Sequence, residues 1–273
     1  YTLKQAACKL TGRLFLHAKP VLACIKITEE THMKTMLLGC ALALMLPVSA
    51  HAAWHAIMVS GDDSIRNFDN SRAALGDLFA AKGLAAENQH HLNSQFSLEI
   101  DPPADQATLQ ALALSFSQLN IRPEQDACLF YVSSHGKKGD GVYMKRALDT
   151  QLTPAQLNTA LNWTCGTAPT VVMVSACYSG QFIQPLRADN RIIMTAASAQ
   201  RPSFGCSEAQ EYTFWDGCVI DHFARSTTWE NLYANVKQCI AQKEQQLGYP
   251  ASQPQAYFGK NMRGLALDFS QRP

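Results

Sequence analysis

Three features of one pattern constrain this chain most. Continuous apolar runs recur, amphipathic segments separate them, and two of the runs end on chemically reactive residues. "WHAIMVSG" (Trp54 to Gly61), "ACLFYVSS" (ending at Ser134), "TVVMVSAC" (Thr170 to Cys177) and "RIIMTAAS" (Arg191 to Ser198) are rich in β-branched and apolar residues and show no polar alternation. Such runs suit strands buried on both faces. Between them lie segments with helical spacing, such as Leu75, Leu78 and Phe79 in "RAALGDLFAAKG", which stops at Gly83. Strands of this kind alternating with helices predict an α/β fold, a three-layer α/β/α sandwich around a mostly parallel sheet.

Start and stop signals place the helices. Asn70 or Ser71 is expected to cap the first, with Asp69 a further candidate for the cap. "DPPADQATLQALALSFSQLN" opens on prolines and carries Leu109, Leu112, Leu114 and Phe116. Thr153 caps the next helix, with Pro154 at its first position. Thr228 and Gly248 bound a late helix. Gly139 to Met144 reads as a small hairpin, and "PQAYFG" as an added edge strand. His90 and His91 read as part of a polar loop.

The N-terminal part has a different character. "MKTMLLGCALALMLPVSAHA" (Met33 to Ala52) has one early Lys34, an apolar run from Met36 to Leu46, a breaking Pro47 and Ala50-His51-Ala52. That is the pattern of a secretory signal peptide cut after Ala52. The run is short for a bilayer span, so no stable membrane anchor is expected after cleavage. Cys40 comes too early for a lipoprotein processing site. Residues 1–32 precede this signal and read as an upstream segment that is not native. Residues 53–273 are expected to form one domain, periplasmic or secreted. It keeps Cys128, Cys165, Cys177, Cys206, Cys218 and Cys239. Disulfides are permitted in such a compartment. Cys206 and Cys218 are the first pair expected to bridge, although spacing alone does not fix connectivity.

The 273 residues carry a formal net charge of +1, which gives no basis for a nucleic-acid partner. No cofactor or metal is expected. His90 and His91 have no ligand-spaced partners, no C-x-x-C or G-x-S-x-G frame is present, and no glycine-rich phosphate loop follows a strand.

The chemistry lies at two strand ends. "LFYVSSHG" delivers His135 and Gly136; "VVMVSAC" delivers Cys177. In open parallel sheets, sites form beyond the carboxyl ends of the strands. A cysteine thiol becomes a strong nucleophile as its thiolate, and an imidazole beside it can take the proton and later give it to a leaving amine. "YSGQFI" after Cys177 suggests a turn into a helix whose N-terminus would favour the thiolate. The N–H groups of Gly136 and Cys177 could form an oxyanion hole. Singly, a buried cysteine or a histidine near a strand is often only core. Together, at neighbouring strand ends, they point to nucleophilic catalysis.

These blocks resemble the signatures of the legumain-like, caspase-fold cysteine peptidases, and suggest an exported member of bacterial type. "IMVSGDDSIRNF" resembles the family's first strand and loop, and "MTAASAQRPSFGC" its substrate-binding loop. The resemblance implies Cys177 as nucleophile, His135 as acid and base, Gly136 as oxyanion donor, Asn67 orienting the imidazole and Ser203 in a substrate-binding position. Asn67 also fits a simple turn residue. The resemblance fails at the specificity pocket: Asp69 and Ser175 stand where asparagine-selective members carry an arginine and a glutamate. Asp69 then suggests a basic P1 side chain, or it is only a helix cap; Asp216 is a second candidate for the pocket floor. The implied function is an exported endopeptidase on peptide or protein substrates, working through a thioester, with hydrolysis or transamidation as outcome. The alternative is a non-catalytic binding or scaffold domain of the same fold.

Overall fold

The computed structural model describes residues 53–94, 105–145 and 150–271. The expected upstream segment, the signal peptide and the prolines at 102 and 103 lie outside them. The strands are β1 (Trp54–Ser60), β2 (Gln89–Asn93), β3 (Asp105–Gln106), β4 (Ala127–Ser133), β5 (Gly136–Lys137), β6 (Gly141–Tyr143), β7 (Gln151–Leu152), β8 (Thr170–Ser175), β9 (Arg191–Thr195) and β10 (Gln255–Phe258). The helices are α1 (Asn67–Ala81), α2 (Leu109–Gln118), α3 (Pro154–Thr164), α4 (Ile183–Leu186), α5 (Phe214–Phe223) and α6 (Trp229–Leu247).

Seven strands form one sheet in the order β10-β9-β8-β4-β1-β2-β3. All pairings are parallel except that of β10 with β9, so "PQAYFG" does add an antiparallel edge strand. The period of two along each strand divides the core. Ala56, Met58, Leu129, Tyr131, Val171 and Met173 face α1, α5 and α6. Ile57, Val59, Phe130, Val132, Val172 and Val174 face the opposite layer, with Leu112 and Phe116 of α2 and Leu157 and Leu161 of α3. This is the expected three-layer sandwich. The chain places β2 and β3 on one side of β1, then crosses to β4 on the other. The switch point therefore lies between β1 and β4, where the topology favours a site at the carboxyl ends.

Thr153 and Gln156 form a reciprocal capping box before α3, and Thr228 caps α6, which ends at Gly248 in the left-handed region. Other expectations need correction. α1 begins at Asn67, so Asn70 and Ser71 lie inside it and Asp69 is in its first turn rather than at its cap. Arg66 precedes the helix without a side-chain cap, and Ser71 Oγ donates back to the Asn67 carbonyl at 2.6 Å. Burial of Asn67 and Phe68 accounts for this earlier start. α2 begins at Leu109, capped by Thr108, well after the prolines. His90 and His91 lie in β2, where tertiary pairing with β1 overrides a polar composition. "FWDGCVIDHF" forms α5; it is apolar nearly all round and contains Gly217, which erased its periodic signal.

The expected Cys206–Cys218 bridge does not form. Cys128 of β4 pairs with Cys165 at the end of α3, and Cys218 of α5 pairs with Cys239 of α6. Each bridge joins two elements of the same core, with Cα separations of 6.1 and 5.9 Å. Cys206 sits on a separate loop and, like Cys177, remains free.

Candidate active site

Strands β4 and β8 are neighbours in parallel register, with Ser133 opposite Ser175. His135 and Cys177 each follow two residues later, at the same offset. The Ser134 N–H donates to the Ser175 carbonyl at 3.1 Å and ties the two strand ends together. Both His135 and Cys177 are partly buried. The two strand ends therefore present an imidazole and a free thiol from adjacent positions.

Gly136 is needed for this approach. A Cβ placed there would overlap the Cys177 carbonyl and crowd its amide nitrogen. Its N–H also faces away from its hairpin partner. Tyr143 donates to the His135 carbonyl at 2.9 Å, which makes 135/143 a hydrogen-bonded pair of the β5–β6 hairpin. Alternation in an antiparallel ladder then turns the Gly136 N–H out of the hairpin.

Beyond Cys177 the chain turns sharply. Tyr178 has φ 58° and ψ 16°, a left-handed conformation uncommon for a residue with a side chain, and its N–H is fixed on the Arg201 carbonyl at 2.8 Å. A single 3-10 turn and the four-residue α4 follow. The expected helix after the cysteine is thus too short to act as a substantial dipole. The polar surroundings of the sulfur come instead from Ser203. Its N–H lies 3.4 Å, its carbonyl 3.5 Å and its hydroxyl 3.8 Å from Cys177 Sγ.

On the other side, α1 brings Phe68 edge-on to the His135 ring at 5.0 Å. Asn67, beside it, is 1% exposed. Its amide donates to the Gly205 carbonyl at 2.7 Å, and its own oxygen has no partner. Asn67 thus bridges the start of α1 to the loop that carries Ser203.

Asp69 is committed elsewhere. Its Oδ1 meets Nε of the fully buried Arg72 at 2.6 Å, and Nη1 of Arg72 lies 2.7 Å from Nδ1 of His91. Burial, then the neighbouring guanidinium, pushes His91 down to about 4, so its neutral ring accepts from Arg72. An Asp69 charge compensated by Arg72 is a poor reader of a basic substrate side chain.

Asp216, in the first turn of α5, is 0% exposed and does not face the cleft as a pocket floor. Its Oδ2 accepts from Ser133, Ser175 and Thr213 hydroxyls, each at 2.8 Å, and its Oδ1 from Tyr131 at 3.0 Å. Burial raises its pKa, while the hydroxyl donors oppose that rise. Ser175 thus points inward to Asp216, not to a substrate. Sequence reasoning missed Phe68, Tyr131 and Ser133. The serine two residues before both His135 and Cys177 was the available signal, since period two puts each pair on one face.

Two concavities flank the loop after Ser203. One of about 860 Å³ is bordered by Asp63, Arg66, Asn67, Asn70, Glu208 and Glu211. Another of about 410 Å³ is bordered by Ser203, Gly205, Cys206, Phe214 and Tyr249.

A sheet of this topology, with a free cysteine and a histidine at adjacent strand ends, defines the class of caspase-fold cysteine peptidases. The model of the Peptidase C13 family matches residues 111–264, more than half of the chain, and that span contains both His135 and Cys177. The chain belongs to this family and is a cysteine-type peptidase, a hydrolase acting on peptide or protein substrates. Among solved structures it is similar to caspase-1 from Spodoptera frugiperda, with a TM-score of 0.56 and 16% identity over 81% of this chain and 91% of that one. At that identity the likeness speaks for the fold. No curated protein matches the chain.

Proposed function

We propose that the protein is an exported cysteine endopeptidase in which Cys177 and His135 form the catalytic dyad. The observation that carries this reading is the Ser133–Ser175 register with its Ser134-to-Ser175 link, which favours a shared reaction centre for the two side chains. His135 takes the thiol proton as Sγ attacks the scissile carbonyl carbon. The new oxyanion is held by the N–H groups of Gly136 and Cys177. Collapse breaks the C–N bond, the imidazolium protonates the leaving amine, and a thioester remains. Water, activated by His135, hydrolyses it; an amine in the same place would give transamidation. Phe68 holds the imidazole edge-on, and Asn67, next to it in the chain, is the candidate to orient the ring once substrate is bound. Ser203 borders the sulfur, where a substrate backbone would pass.

Export is supported by residues 33–52 and by the two disulfides, which persist in oxidising compartments. In this reading the mature chain starts at Ala53 and has no retained anchor. Among the described residues, no helix is long and apolar enough to cross a membrane.

The test is a cleavage screen with a mixed peptide library, read by mass spectrometry, comparing the secreted wild type with Cys177→Ala. Cleavage by the wild type alone supports the reading. Equal cleavage by both, or none by a folded wild type under mild reducing conditions, rejects it. N-terminal sequencing of the exported protein should begin at Ala53; a start upstream of residue 33 contradicts the export signal.

A further inference from the structure

We propose that Asp216 is a positioning residue that locks the histidine-bearing and cysteine-bearing strands together; this rests on the Cys177–His135 dyad. One carboxylate oxygen accepts the hydroxyls of Ser133 and Ser175, which sit opposite each other in the β4–β8 register. Each serine is two residues from the end-group its strand delivers. The same oxygen accepts from Thr213, whose hydroxyl also receives the Asp216 N–H at 3.1 Å as the cap of α5. Tyr131, one pleat earlier on β4, holds the other oxygen. The carboxylate is therefore anchored to a helix start and grips both strands from one side of the sheet.

A buried carboxylate is costly unless fully hydrogen-bonded, and charge-assisted bonds are stronger than neutral ones. Four donors around one buried group make a stiff junction. Main-chain pairing alone holds strand ends loosely, and the last link here is the single bond from Ser134 to Ser175. The junction lies immediately below that link. Small errors matter at this place, since displacement of a catalytic group by about 1 Å can cost about 100-fold in rate. Asp216 acts without touching substrate, because no part of it is exposed.

The experiment compares wild type, His135→Ala, Asp216→Asn, Ser175→Ala and Ser175→Thr, with folding checked by circular dichroism. Cys177 alkylation by iodoacetamide at fixed pH is read first, because this small probe needs no specificity pocket. Turnover is then read on fluorogenic peptides with Asn, Lys or Leu at P1. Asp216→Asn should slow alkylation about 10-fold and lower kcat about 10- to 100-fold for all three peptides alike, with KM within about threefold. Ser175→Ala should lose part of that rate, and Ser175→Thr, which keeps a hydroxyl, should recover it. If Asp216→Asn does not fold, the Ser175 pair carries the test. Unchanged alkylation in Asp216→Asn, a KM rise confined to the Lys peptide, or no difference between Ser175→Ala and Ser175→Thr would each overturn the inference. Equal alkylation of wild type and His135→Ala would instead remove the dyad itself.

Discussion

Ser133 and Ser175 face each other across the two central strands, and both donate to the same oxygen of Asp216 at 2.8 Å. Two residues further along each strand stand His135 and Cys177. The candidate site is thus placed by sheet register: the strand ends that carry the paired serines also carry His135 and Cys177. Ordinary loop-borne sites lack such a rule, and several consequences can be measured.

Gly136 leaves no room for a side chain against Cys177. Gly136→Ala should push the two strand ends apart and misplace an oxyanion donor. Turnover should fall about 100-fold or more, while the thermal midpoint moves far less than for a core truncation. Steady-state kinetics and calorimetry on one preparation check both parts.

Cys206 should be inert although it lies close to the site. Burial, and then the neighbouring Cys177, pushes its thiol up to about 12, so it stays protonated and poorly nucleophilic at neutral pH. Mass mapping after brief iodoacetamide treatment at pH 7.5 should find label on Cys177 and little on Cys206. Cys206→Ser should retain most turnover. Preferential labelling of Cys206 would contradict this.

Burial of His91, and then its contact with Arg72, makes stability depend on pH. The folded-state value of His91, about 4, lies below its ordinary 6.5. The unfolded chain therefore binds the proton first as pH falls. Stability is full above about 6.5 and declines down to about 4, by on the order of 3 kcal/mol from this group. His91→Asn, which can still accept from Arg72, should lose less stability over that window in urea unfolding at pH 7, 5.5 and 4.

The disulfides close separations of 37 and 21 residues. On the loop-entropy account, each contributes roughly 3–4 kcal/mol. Replacing Cys128 and Cys165 together with alanine should lower the urea midpoint clearly. Strong reductants used to keep Cys177 active should destabilise the wild type but not that variant to the same degree.

Much of this was legible in the sequence. The buried strands, the Thr153 cap, the Thr228 and Gly248 boundaries and the edge strand follow from apolar runs and turn chemistry. His135 and Cys177 were visible because each closes such a run. Other features depend on long-range packing that local pattern does not encode. β2 is polar yet pairs with β1, and α5 is apolar nearly all round. The pairing of Cys218 with Cys239 depends on α5 meeting α6. Asp216 could be noticed but not placed, since its four partners come from β4, β8 and the cap of α5. Asp69 misled because its partner Arg72, though only three residues on, is a fully buried cation that sequence alone would leave on the surface.

The account stands most directly on one labelling measurement with a thiol-directed activity probe, applied to wild type, Cys177→Ala and His135→Ala at pH 7.5. It predicts strong labelling of the wild type, none above background in Cys177→Ala, and labelling of His135→Ala reduced at least 10-fold with its fold intact. Equal labelling of all three proteins would contradict it.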